Sequence, residues 1–188
     1  MIPFLQSKLS YNKTEKRVYL SKRLCGVWLI WVGLVLILSL VFAGGDQPIN
    51  QLIFYIGYGA GIGLLFGNKT IKGKLSFGPP SVFQNKMTVF AFILMFLLMS
   101  CLGGPYYGQM NYEMIWMGVL MAVAIHFIPF AYVHGRSMLY LSGILIVLIS
   151  WGYLDSSVAF STIGYADAGI KMLFGIYLLY TKNPLAHK

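Results

Sequence analysis

His126, Asp167 and Lys171 carry the groups in this chain best suited to chemistry, and all three lie inside long apolar runs. Asp167 and Lys171 are four residues apart, so on a helix they share one face and can pair. Ser161, Gly164, Ala168 and Gly175 extend that face as a small, polar stripe. An unpaired charge near mid-bilayer costs ~3 kcal/mol even on lenient insertion scales, so such a stripe must face protein or water. An imidazole, a carboxylate and an ammonium brought together could relay protons or hold a small ion. The alternative for the pair is a helix that starts late, near Tyr165, with Asp167 at the outer interface and Lys171 snorkelling. The alternative for His126 is a hydrogen bond to a neighbouring backbone carbonyl, with no chemistry attached.

The elements that position these residues follow from composition. Apolar residues make up 58% of the 188, charged residues 10%, and mean hydropathy is +0.73. Soluble domains carry roughly 25% charged residues, so a water-soluble globule of this size is excluded. A net charge of +9 raises the question of nucleic acid. The bases flank apolar spans instead of lining a soluble face, so anionic lipid head groups are the expected partner and nucleic acid is not.

Six apolar spans are predicted, at about 24–43, 51–67, 87–103, 114–133, 138–154 and 158–180. They divide the chain into a basic N-terminal tail (1–23), a six-helix transmembrane domain (24–180) and a short C-terminal tail (181–188). The first span covers about 30 Å at helical rise, the thickness of the hydrocarbon core. A cleaved signal peptide ending near Val41-Phe42-Ala43 is the rival reading, but signal peptides have shorter apolar cores and leaders. The connecting segments alternate in charge. Thirteen of the fourteen Lys and Arg fall on the side that holds both termini, whereas Asp46, Glu113 and Asp155 fall on the other. Short basic loops stay inside, so both termini should be cytoplasmic and the chain a multi-pass protein of the cell membrane. The segment 68–86, with Gly73, Gly78, Pro79 and Pro80, reads as a helix-breaking loop. The tail from Ile2 to Leu20 mixes apolar and basic residues, as either a surface-lying amphipathic segment or a disordered leader does.

Depth ties the three residues together. Pro129, in His126-Phe127-Ile128-Pro129-Phe130, should kink the fourth span and free the carbonyl of Ile125. His126 is ten residues from Arg136, and Lys171 eleven from Lys182. At helical rise both lie roughly 15 Å from the inner surface. If the fourth and sixth helices touch, His126, Asp167 and Lys171 form one intramembrane polar cluster. His134 reads as an interfacial loop residue. In the second span Gly57, Gly59, Gly61, Gly63 and Gly67 form overlapping small-xxx-small patterns, which let another helix approach closely. A hinge or an unwound ion site beside a cavity is the functional alternative. No repeat is visible residue by residue, although two three-span halves would be inverted, as in many transporters.

Cys25 and Cys101 have no metal-ligand spacing and are expected as buried free thiols. Metalloprotease, esterase and P-loop motifs are absent, and one deep histidine does not make a haem site, so neither cofactor nor metal is expected. The basic leader, the Gly-rich second span and the His126–Phe130 run followed by His134-Gly135 resemble a group of small bacterial membrane proteins known only as a domain of unknown function. The resemblance covers most of residues 20–155. It implies a bacterial cytoplasmic membrane and a multi-helix fold, and it brings no activity with it.

The expectation is an all-α integral membrane bundle that acts as a small-solute or ion/proton-linked transport or channel component. The alternatives are a non-catalytic accessory, immunity or resistance-type subunit acting through helix packing, and a lipid-modifying enzyme using His126 as acid/base. Self-association or a partner membrane protein would suit the small size.

Overall fold

The computed structural model describes residues 18–182 and 184, and every regular element among them is helical. The helices are α1 (Lys22–Val41), α2 (Gln51–Ile62, continued by a π-helical turn over Gly63–Gly67), α3 (Lys69–Leu75), α4 (Val82–Leu102), α5 (Tyr112–His134), α6 (Ser137–Leu154) and α7 (Phe160–Leu179). A 3-10 segment, Gly104–Gln109, follows α4. Among the described residues four helices are long and apolar enough to cross a membrane: α1, α4 with its 3-10 extension, α5 and α6. The α2 segment, Gln51–Gly67, is apolar but shorter. The 20 residues of α7 include both Asp167 and Lys171. Most of the predicted tail lies outside the described residues.

Local signals set the helix ends. Ser81 and Gln84 form a reciprocal capping box, with Ser81 Oγ accepting from the Gln84 amide (3.2 Å) and Gln84 Oε1 accepting from the Ser81 amide (2.9 Å). This starts α4 at Val82, five residues ahead of the expected Met87, and draws Lys86 into the helix. The segment expected as a broken loop contains α3, because Asn68 Oδ1 accepts from the amides of Thr70 and Ile71. A side-chain cap outweighs one internal glycine, Gly73, and the break comes later, at Gly78-Pro79-Pro80. At the opposite end of the bundle α6 stops at Asp155. Its carboxylate accepts from the hydroxyl (2.6 Å) and the amide (3.0 Å) of Ser157. The hydroxyl bond leads in holding the Asp155 carboxyl below the usual carboxylate range.

Each helix packs antiparallel on its main neighbour. α1 runs the full length of α7, with Gly26 against Gly175 at one end and Leu40 against Gly164 at the other. α2 folds back on α1, where the Trp31 indole donates to the Gly57 carbonyl (2.8 Å). α4 lies on α5, α5 on α6, and α6 on α7. The core is built by α1, α5, α6 and α7, through residues such as Leu29, Leu36, Leu120, Leu145, Ile149 and Ile163. α2 and α4 flank this inner four, with Leu52, Ile56, Phe90, Ile93 and Phe96 exposed. Apolar faces of this extent are foreign to monomeric soluble proteins, and lipid tails match them.

The neighbour map has a symmetry that the residues do not show. Exchange the first three long helices (α1, α2, α4) for the last three (α5, α6, α7). The close pairs α1–α7 and α4–α5 then swap, as do α1–α2 and α5–α6. Of the close pairs of long helices, α6–α7 alone lacks a comparably close counterpart.

Three further expectations are corrected. Cys101 is exposed on the outer face of α4, while Cys25 is buried as expected. His134 is the last residue of α5, 8% exposed and stacked on Phe130 at 5.4 Å, because α5 continues to Gly135 before turning. The late start of the sixth helix is also overturned: α7 begins at Phe160, which places Asp167 two turns inside it.

Candidate functional site: a buried ion pair in the helix bundle

The inner face of α7 carries Phe160, Ile163, Gly164, Asp167, Ala168, Lys171, Gly175 and Leu178, the three-and-four spacing of one helical stripe. Ser161, expected on this stripe, is exposed instead. Lys171 Nζ donates to Asp167 Oδ2 at 2.5 Å, and the two side chains are 2% and 0% exposed. The i,i+4 spacing closes this pair within one helix. The second carboxylate oxygen, Asp167 Oδ1, is buried and has no hydrogen-bond partner among the described residues.

Close contact with α1 seals one flank of the pair. A Cβ on Gly26 would sit 2.6 Å from the Gly175 carbonyl oxygen, and one on Gly175 would sit 2.6 Å from that of Gly26. A Cβ on Gly33 would come 2.9 Å from the Ala168 carbonyl, one residue from Asp167. Glycine at these positions lets two backbones meet where any side chain would hold them apart.

His126 comes from α5. It is 7% exposed, and its ring packs against Phe127 at 4.4 Å and Phe130 at 5.2 Å. Nδ1 faces the Val123 carbonyl, the backbone contact weighed as the alternative to chemistry. Among the described residues no hydrogen bond or ion pair joins His126 to Asp167 or Lys171. α5 and α7 are not among the closely packed helix pairs, and α6 packs on both. Gly152 of α6 lies between Met117 of α5 and Ile163 of α7. Ser142, 1% exposed, donates to the Ala124 carbonyl at 2.7 Å and ties α6 to α5 two residues from His126. α5 continues as helix through Pro129.

Sequence reasoning singled out none of Ser142, Gly26 and Gly33. The available signal was small residues placed inside otherwise bulky apolar runs. The glycines of α2 divide into two sets. Gly57 packs on Val35 and Gly61 on Trp31, whereas Gly59, Gly63 and Gly67 have no atom within 4 Å of the space a Cβ would fill. Among the described residues no three His, Cys, Asp or Glu side chains are grouped to hold a metal ion.

Apolar outer helices around a buried ion pair define an α-helical bundle of membrane type. The chain belongs to a family of unknown function, DUF6609, whose model matches residues 12–188. That match extends past both ends of the region 20–155 on which the resemblance rested. No curated protein and no solved structure matches the chain.

Proposed function

We propose that the chain crosses the cell membrane six times with both termini in the cytoplasm, and that Asp167 and Lys171, with His126 beside them, form the site through which it moves a proton or small cation. The observation that carries this reading is the fully buried Asp167–Lys171 pair with its spare oxygen, Asp167 Oδ1. Ionisable groups inside spanning helices mark ion and proton paths more often than they serve packing. A proton passed from Nζ to the carboxylate leaves both groups neutral, a form that burial in a low dielectric favours over separated charges. The spare oxygen is an acceptor for an incoming proton or cation.

Several features support six crossings. α7 lies beside α1 from end to end, so it spans whatever α1 spans. Gln51–Gly67 reaches about 25 Å at helical rise, enough for a thin or locally thinned bilayer. Lys69, Lys72, Lys74, Arg136 and Lys182 lie beyond one set of helix ends and Asp46 and Asp155 beyond the other, with Glu113 in the first turn of α5. The exchange relation among helix neighbours is the pattern of inverted three-helix repeats, the architecture of many secondary transporters.

The test uses proteoliposomes with an internal pH-sensitive dye under an imposed potassium gradient with valinomycin. Wild type should move protons faster than empty vesicles. The double variant Asp167→Asn/Lys171→Met should fold and fall to the empty-vesicle rate. Wild-type flux from a folded double variant contradicts the proposal.

A second reading, an accessory subunit acting through helix packing, rests on Gly59, Gly63 and Gly67, which leave an open, small-residue strip on the outward face of α2. On that reading Gly59→Leu or Gly63→Leu breaks a co-purifying complex, while changes at His126, Asp167 and Lys171 have no effect on it.

A further inference from the structure

A groove of about 650 Å³ opens where α1, α6 and α7 meet at the basic end of the bundle, lined by Lys22, Arg136, Ser137, Leu173, Phe174 and Tyr177 among others. Its chemistry is split. Lys22 and Arg136 supply two cations, and neither has an acidic partner among the described residues. Leu173 and Tyr177 are 68% and 64% exposed and form an apolar wall on the lipid side of α7.

Two helices also begin here. Lys22 is the first residue of α1 and Ser137 the first of α6. Neither start has a side-chain cap, and neither has an acid in its first turn. The positive end of a helix dipole favours an anion, yet at both starts the chain places a cation: Lys22 and Arg23 on α1, and Arg136 at the cap of α6. At α6 the Met138 and Leu139 amides already donate to the Gly135 and Arg136 carbonyls, so the open amides are those of the first turn of α1. Two dipole ends and two cations without an acidic partner among the described residues converge on one groove, a concentration of positive potential that favours an anion. Lys22 is held in place by the Tyr19 ring, 5.1 Å below its ammonium, while Arg136 is exposed. Lys22 Nζ would lie 3.4 Å from a Cβ on Gly135, the turn between α5 and α6, where φ is +100°. One residue earlier, the buried His134 Nδ1 has no hydrogen-bond partner among the described residues.

We propose that this groove binds one anionic phospholipid, with the phosphate between Lys22 and Arg136 at the two helix starts and an acyl chain along Leu173 and Tyr177. An anion alone would use the cations and amides and leave the apolar wall unexplained. A neutral lipid would use the wall and leave the cations unexplained. The inference does not depend on ion movement by Asp167 and Lys171, and it takes only the leaflet, the inner one, from the proposed topology.

Native mass spectrometry of the full chain in detergent tests it with phosphatidylglycerol, phosphatidylcholine of the same acyl chains, and glycerol phosphate as a soluble head group. One phosphatidylglycerol should stay bound per chain, with phosphatidylcholine retained about tenfold less or weaker. Lys22→Gln/Arg136→Gln should lose that preference, while Lys69→Gln/Lys72→Gln, equally basic positions away from the groove, should keep it. Tyr177→Ala, a change at an exposed residue that leaves folding intact, should weaken lipid retention several-fold even if the double variant proves unstable. Equal retention of both lipids, equal loss in the Lys69/Lys72 control, or displacement by glycerol phosphate at lipid concentrations overturns the proposal. The measurement is blind to which side of a membrane the groove faces, so its failure leaves the topology untouched and a wrong topology leaves the binding result standing.

Discussion

Asp167 and Lys171 meet at 2.5 Å with both side chains withdrawn from solvent, so each charge depends on the other for its stability. Removing one partner from such a pair leaves an uncompensated buried charge, a loss of ~3–5 kcal/mol, whereas replacing both with neutral groups is close to balanced. Lys171→Met alone should therefore destabilise the detergent-solubilised protein by about that amount, and Asp167→Asn/Lys171→Met should recover most of it. Unfolding midpoints in SDS titration check this, and single variants as stable as wild type would contradict it. The double variant separates structure from function, because it restores the fold and removes the ionisable groups. The pairing itself was legible in the sequence, since residues four apart on a helix have little choice of face. The spare oxygen on Asp167 was not legible, because a missing partner is a property of the neighbouring helices. Nor was the burial of His134, which depends on how far α5 runs before Gly135 turns it.

At the scale of elements, α1 and α7 are joined by glycines on both helices, and that contact encloses the ion pair. Gly26→Leu would drive a side chain into the Gly175 carbonyl and should cost about 1–3 kcal/mol, as overpacking does. Gly59→Leu points into open space and should change stability by less than ~0.5 kcal/mol. Thermal aggregation curves for the two variants side by side read the difference, and equal losses would remove α1–α7 packing as the reason for these glycines. Helix existence was readable from the apolar runs, and the observed ends lie within two residues of expectation for all but one of the long helices. The exception, α4, begins early because Ser81-x-x-Gln84 forms a capping box, a signal present in the sequence but hidden beside Pro79 and Pro80. The α2 glycines looked alike in sequence. Their division into packed and open sets follows from which side of α2 meets α1, and glycine spacing alone does not fix that.

At the scale of the molecule, four helices build the core and two lie outside it, although all six carry apolar sequences. Hydropathy could not sort them, since a lipid-facing helix and a buried one are equally apolar, and the burial of α7 despite two charges is visible only in the assembled bundle. The exchange of α1, α2 and α4 with α5, α6 and α7 is likewise a relation among neighbours, with no trace in residue identity. In the six-crossing reading the basic helix ends set the depth of the ion pair, and which end faces the cytoplasm decides only the leaflet that the proposed groove meets. The most direct measurement is cysteine accessibility in intact cells, on a Cys25→Ser/Cys101→Ser background, with single substitutions Asp46→Cys, Lys74→Cys and Asp155→Cys and a membrane-impermeant maleimide. Asp46→Cys and Asp155→Cys should label from outside, and Lys74→Cys only after permeabilisation. Labelling of Lys74→Cys in intact cells, or protection of Asp155→Cys, would contradict the six-crossing arrangement and the mid-membrane position of Lys171 with it.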